Sequence, residues 1–407
     1  MPLARRLGLT DAVFLGLGSM VGAGVFAAFA PAAGAAGAGL LPALGIAAVV
    51  AFCNATSSAR LAARHPESGG TYVYGRARLG EFWGYLAGWG FVTGKTASCA
   101  AMTLTVVAYA APGVGQPWRA VIAVGVVAAV TGVNCLGVHR SALATRVIVV
   151  VTLVVLAVAV VSATSGGFVA EPFAPFDGGG VLTAAGLLFF AFAGYARLAT
   201  LGEEVRDPAR TIPRAIPLAL GLTLVVYAVV AVALLLTLGP QRLAASADPI
   251  AEAAAPWLSP VVRAGATLAS LGSLLALVLG VSRTTLAMAR DGHLPRGLAV
   301  VHPRFEVPQR AELAVGVVVA VLATTVDLRG AIGFSSFAVL AYYAIANAAA
   351  LRLRADENPA PRVVAILGLV GCAVLAFSLP WPSVVAGCAA LALGALAYAV
   401  RRATGRH

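Results

Sequence analysis

A chain of 407 residues in which 60% of side chains are hydrophobic and only 11% charged cannot cover a water-facing surface, which takes about a quarter charged residues. Lipid is therefore the expected solvent. At about 20 apolar residues per membrane-crossing helix, the length suffices for roughly a dozen spans and leaves no room for a soluble domain. The net charge of +12 does not indicate a nucleic-acid partner, because the basic residues sit in short clusters between apolar runs, as orientation signals do.

Twelve apolar runs, bounded by charged or Pro/Gly-rich connections, predict helices at about 10–30, 36–59, 81–111, 119–138, 141–163, 181–202, 214–238, 258–289, 311–328, 331–351, 362–379 and 382–400. The runs are long, rich in Ala, Leu and Val, and not alternating, which excludes membrane strands. The segment from Met1 to Asp11 is short and basic, and the first run is followed by further spans, so it reads as a retained helix rather than a cleaved signal. With the N-terminus inside, only Arg119, Arg242, Arg263 and Arg329 fall in outer connections; Lys95, Arg197 and Arg283 lie within spans, and every other arginine is inside. That bias predicts both termini on the cytoplasmic side of the cytoplasmic (inner) membrane and an even number of spans.

Two spans carry the marks of chemistry. In span one, Gly16, Gly18, Gly22 and Gly24 surround Ser19 and Ala23, and each mid-helix glycine weakens the helix by about 1 kcal/mol relative to alanine. Gly18 and Gly22 form a G-x-x-x-G pair suited to close helix packing. The same run could instead unwind and turn backbone N–H groups toward an anion. In span six, Phe189-Phe190-Ala191-Phe192-Ala193-Gly194-Tyr195-Ala196-Arg197 places Gly194 among aromatics; it reads as an ordinary packed helix or as a break that frees carbonyls. Two breaks would offer donors to a carboxylate and acceptors to an ammonium, a receptor for a free α-amino acid. Spans one and six would run in opposite directions, as in an inverted-topology repeat.

Lys95, the only lysine, stands roughly 21 Å along its helix from Glu81, near the bilayer centre. An ammonium at that depth is functional by default, or else a structural donor to helix-end carbonyls around the break in span one. Arg197 and Arg283 read as snorkelling or ion-paired side chains near the inner surface. All acidic residues fall in connections or at span ends, so no mid-membrane carboxylate is expected. The five cysteines read as small packing residues, and the five histidines lie in polar connections or the tail; neither metal nor cofactor is expected.

The glycine-rich first span, Pro66-Glu67-Ser68-Gly69-Gly70-Thr71-Tyr72, Gly202-Glu203-Glu204-Val205-Arg206-Asp207-Pro208 with Ile212-Pro213, and Ala287-Met288-Ala289-Arg290-Asp291-Gly292 resemble the amino acid–polyamine–organocation (APC) superfamily over nearly the whole chain. Within it the resemblance is to bacterial relatives of the cationic amino acid transporters. It implies an all-α polytopic fold of twelve transmembrane helices, a five-plus-five inverted repeat with two peripheral helices. Residues 1–407 would form one transporter domain, with repeat one at about 9–163, repeat two at about 181–351 and the peripheral helices at about 362–400. The resemblance also places a substrate carboxylate at the backbone of Gly22, Ala23 and Gly24, with Ser19 nearby. The ammonium would meet carbonyls near Phe190, Ala191 and Ala193, beside Gly194 and Tyr195, with Phe190 at an aromatic gate. The Asp207-Pro208 and Arg290-Asp291-Gly292 loops become cytoplasmic structural or gating elements. Some relatives carry a lysine in span five at an ion position; Thr152 stands there in this chain, and Ser282 supplies a second hydroxyl.

The expected function is uptake or exchange of a free amino acid by alternating access along spans one, three, six, eight and ten. Proton linkage through Lys95 is favoured over sodium at Thr152 and Ser282. Lys95, with no buried carboxylate opposing it, favours neutral or acidic cargo over arginine, lysine or polyamines. Exchange, export, or a substrate sensor on a transporter scaffold remain as alternatives; an enzyme or a channel finds no matching constellation. Partners are expected to be the amino acid and membrane lipid, with no obligate protein partner evident.

Overall fold

Without water to satisfy the backbone, a long apolar run in lipid closes its hydrogen bonds within a helix, and the described apolar runs of this chain are helical. The computed structural model describes residues 7–65, 69–137, 142–173, 178–195, 198, 205–357 and 360–404. Among them the only strand-like pairing is one parallel bridge between Leu7 and Val205. In chain order the helices are α1 (Leu9–Val21), α2 (Gly24–Ala27), α3 (Phe29–Ala36), α4 (Leu40–Arg64), α5 (Thr71–Leu79), α6 (Glu81–Ala110), α7 (Trp118–Cys135), α8 (Ala142–Ser165) and α9 (Val181–Phe192). They continue with α10 (Pro208–Ala245), α11 (Pro249–Ala253), α12 (Ser259–Arg290), α13 (Gln309–Thr325), α14 (Leu328–Ala350), α15 (Arg362–Phe377) and α16 (Trp381–Ala403).

Helix starts and stops follow local chemistry. Asp11, in the first turn of α1, accepts the Gly8 N–H at 3.1 Å, which satisfies a donor left over at the helix end. Pro208 opens α10, where its missing N–H costs nothing. That helix bends at Gly239, whose φ of 70° is one that glycine adopts without strain.

Ten helical stretches among the described residues are long and apolar enough to cross a membrane. The chain is an all-α polytopic membrane protein. The expected count of twelve spans is not reached on length: α13 has 17 residues and α15 has 16, so at 1.5 Å per residue each falls short of the roughly 30 Å hydrocarbon core.

Burial sorts the helices. The most apolar stretch of α6 is 83% buried and that of α14 is 78%, against 28% for α7 and α8 and 22% for α16. Leu143, Val147, Val150, Val154, Val158 and Val161 of α8 are exposed at helical spacing, a stripe suited to lipid contact. At the centre, α6 packs against both α12 and α14, while α1 lies between α8 and α10 with the turn Ala193–Tyr195 beside it.

Candidate functional site

The first span does break: α1 ends at Val21, Gly22 leaves helical geometry (φ −60°, ψ −94°), and α2 resumes at Gly24. The sixth breaks too, α9 giving way at Ala193 to a tight turn through Tyr195. The two breaks touch. A Cβ on Gly194 would lie 2.2 Å from the Ser19 carbonyl oxygen, and one on Gly24 would lie 2.8 Å from Cα of Ala191. Backbone meets backbone at distances that no side chain fits. The run thus both breaks the helix, at Gly22, and allows a close backbone approach, at Gly24.

Two side chains absent from the sequence expectation, Tyr227 and Ser273, hold the junction. Tyr227 of α10, fully buried, brings its hydroxyl within 2.6 Å of the Met20 carbonyl and 3.0 Å of the Ala191 carbonyl, able to donate to either. Ser273 of α12 donates to the Gly18 carbonyl at 3.1 Å; its hydroxyl occupies the space that a Cβ on Gly22 would need. Glu312 of α13 is fully buried and accepts the Ser282 hydroxyl at 2.6 Å. Glu312 corrects the expectation that every acid is peripheral. It does stand in the first turn of its helix, but α7 and α12 pack over that turn.

Lys95 is 5% exposed and donates to the Ala193 carbonyl at 3.1 Å. The sequence reading placed this lysine by the break in span one; its hydrogen bond goes to the break in span six. Of the carbonyls expected to receive an ammonium, that of Ala193 thus has an internal donor in Lys95, and that of Ala191 shares Tyr227 with Met20. No ion pair joins Lys95 to Glu312 among the described residues. The Ser19 hydroxyl turns back to the Leu15 carbonyl at 2.8 Å. Phe190 is buried, and Tyr195 stacks on Tyr343 with ring centroids 4.9 Å apart.

The Thr152 and Ser282 hydroxyls have separate hydrogen-bond partners. Thr152 donates to the Ile148 carbonyl at 2.7 Å, and Ser282 serves Leu279 and Glu312. Where α8 meets Gly18 of span one it presents Val149 and the methyl of Thr145. Ser273, nine residues before Ser282 in the same helix, is the hydroxyl that reaches span one. Arg283 is exposed on α12, close enough to Glu312 to interact with its charge. Arg197, Pro66 to Ser68 and Gly202 to Glu204 lie outside the described residues.

At the arginine-rich end, α5 is latched to the end of α12. The Asp291 carboxylate accepts from the Tyr72 hydroxyl at 2.5 Å and from Arg76 at 2.6 Å, and Arg76 also pairs with Glu81 at 2.9 Å. His293 Nδ1 lies 2.9 Å from the Tyr72 hydroxyl. Burial, then the Asp291 hydrogen bond and charge, push the Tyr72 phenol well above its usual range. Burial, then the Arg76 charge, hold His293 below the usual imidazole value. The unfolded chain therefore binds a proton at this position before the folded one does, so the latch loses stability as pH falls through about 6.5. Melting curves from about pH 7 down to about pH 5 are expected to show a decline in thermal stability that His293→Gln reduces; an unchanged slope in that variant would place the acid sensitivity elsewhere.

Discontinuous helices joined at the centre of an α-helical membrane bundle are the architecture of secondary transporters. The chain belongs to the amino acid permease family, of the APC superfamily: the model of that family matches residues 7–393. It is 67% identical to an uncharacterized transporter of Mycobacterium tuberculosis over 98% of this chain and 92% of that protein. It is 28% identical to a branched-chain amino acid permease of Bacillus subtilis over 97% of this chain and 92% of the permease. Human cationic amino acid transporter 4 is 29% identical over 88% of this chain and 61% of its own length.

Proposed function

We propose that this permease carries a free neutral amino acid, or failing that an acidic one, across the cytoplasmic membrane by alternating access, with both termini cytoplasmic and with proton-linked coupling. The observation that carries the proposal is the direct contact between the two broken helices, with Lys95 donating to the carbonyl end of the second. The break at Gly22 and Ala23 leaves N–H groups of the kind that helix ends offer to an anion, suited to a carboxylate. The carbonyls of Phe190 and Ala191 are suited to an ammonium, whereas that of Ala193 is held by Lys95. A carbonyl accepts two hydrogen bonds, so an arriving ammonium would share those carbonyls with Tyr227 and Lys95, which links cargo binding to α10 and α6.

Selectivity follows from the same lysine. A second cation about 5 Å from Lys95 is repelled by about 3 kcal/mol at an effective dielectric of 20, over a hundredfold in affinity. Among the described residues Glu312 forms no ion pair with Lys95; the groups that act on its carboxylate are Ser282, Asn134 and Arg283. The branched-chain permease relative supports neutral cargo, whereas the cationic transporter names would favour arginine or lysine. The engagement of the Thr152 and Ser282 hydroxyls by Ile148, Leu279 and Glu312, and the apolar side chains of α8 at Gly18, support proton over sodium.

Counterflow of labelled amino acids in proteoliposomes, with and without a pH gradient, tests this reading. The expected result is exchange of neutral amino acids, faster with an inward proton gradient, and no competition from arginine. Saturable arginine uptake would overturn the substrate class. Binding without any accumulation would make the protein a sensor, and a strict sodium requirement would overturn the coupling.

A further inference from the structure

Two arginines at the arginine-rich end, Arg60 and Arg362, share a cavity. Arg64 is tied to the Asp356 carbonyl at 2.8 Å and Arg78 to the Glu357 carboxylate at 2.5 Å. Arg78 and the Arg354 N–H hold that carboxyl down to about 2. Arg60 and Arg362, between the same elements, pair with no carboxylate among the described residues. Both line a cavity of about 280 Å³ between the ends of α4, α14 and α15. Ser57 lines it one turn deeper than Arg60; it is fully buried, yet its hydroxyl has no hydrogen-bond partner. A buried hydroxyl without a partner costs about 1–3 kcal/mol, and here it lies beside two unpaired guanidinium groups. Hydroxyl and guanidinium donors together suit a phosphate.

The surroundings indicate what carries that phosphate. Arg60 crowns an exposed apolar stripe of α4 that includes Val49 and Phe52, at helical spacing below it. Arg362 likewise heads the exposed stripe of α15 at Val363, Leu367 and Val370. Polar donors in the cavity thus continue directly into two lipid-facing ridges. A free anion would use only the first part; an amphiphile with a phosphate head and two acyl chains would use both.

We propose that the cavity between α4, α14 and α15 binds the phosphate headgroup of an anionic phospholipid, held by Arg60, Arg362 and the Ser57 hydroxyl, with acyl chains along α4 and α15. The site is separate from the amino acid junction, and the proposal does not depend on the cargo or on the coupling ion.

The test uses full-length protein stripped of lipid in a neutral detergent. Phosphatidylglycerol, phosphatidylcholine or inorganic phosphate is then added, and retained lipid is measured by native mass spectrometry alongside thermal stability. The expected result is retention of phosphatidylglycerol in preference to phosphatidylcholine, a rise in melting temperature, and no rise with phosphate alone. Arg60→Gln with Arg362→Gln is expected to lower phosphatidylglycerol retention at least tenfold, whereas Arg290→Gln, on an exposed arginine at the end of α12, leaves it unchanged. Ser57→Ala, which removes the unpartnered hydroxyl without touching charge, is expected to weaken retention less. Equal retention by the double variant, equal retention of phosphatidylcholine, or full stabilisation by inorganic phosphate would each overturn the proposal. The lipid-free melting temperature of each variant separates lost lipid from lost folding.

Discussion

Gly24→Leu is expected to abolish amino acid binding and transport while the protein still inserts and migrates as a folded species. Even a Cβ at that position would lie 2.8 Å from Cα of Ala191 and 2.9 Å from the Tyr227 hydroxyl, so a leucine must push α2 away from α9. Overpacking of this kind costs about 1–3 kcal/mol in an ordinary core. In this case it also separates the N–H groups of one break from the carbonyls of the other, so the two ends of an amino acid could not be held together. The control is Gly45→Leu, on the outer face of α4 with no heavy atom within 4 Å of an added Cβ. Binding isotherms and uptake measured side by side decide the matter. Wild-type affinity in Gly24→Leu would mean that the contact serves packing alone.

Lys95→Met should remove the pH dependence of uptake and leave substrate exchange measurable. The side chain is buried and its one hydrogen bond is to the Ala193 carbonyl. Methionine keeps the volume and removes the charge together with a donor worth about 1.5–3 kcal/mol. If the lysine gives up its proton during the cycle, the variant is fixed in a neutral state and the proton gradient no longer drives accumulation. If it is only a strut for the broken helix, thermal stability drops and the pH profile keeps its shape. The same variant should relax the exclusion of arginine, since the repelling charge is gone.

The sequence made some of this site legible and hid the rest for identifiable reasons. The breaks were readable because four glycines in one apolar span, and one among aromatics in another, contradict helix propensity in a place where lipid tolerates no frayed backbone. The burial of Lys95 midway along α6 followed from counting residues along that helix. Its partner did not, because a long flexible side chain reaches carbonyls on more than one neighbour and helix rotation is set by tertiary packing. Tyr227 and Ser273 were invisible for a related reason: one tyrosine and one serine within long apolar helices give no periodic signal, and their roles arise only where α10 and α12 face the break. Glu312 was misjudged because closeness to a span end was equated with access to water. The short α13 begins under α7 and α12, so its first turn is already interior.

The Tyr227 hydroxyl has one proton and two acceptors within reach, one on each broken helix. Whichever carbonyl it serves, the other is left one donor short, and nothing within the hydroxyl itself can remedy that. The two arrangements differ by rotation of a single O–H bond, and in each the hydroxyl serves one broken helix at the expense of the other. An ammonium brings three donors at once, so a cargo with a free amino group would repair this shortage as well as adding contacts. An analogue lacking the amine would occupy the same volume and leave the shortage in place. Under the proposed function, the permease would then recognise the amino group by relief of an internal frustration, and the empty carrier would remain mobile for the same reason.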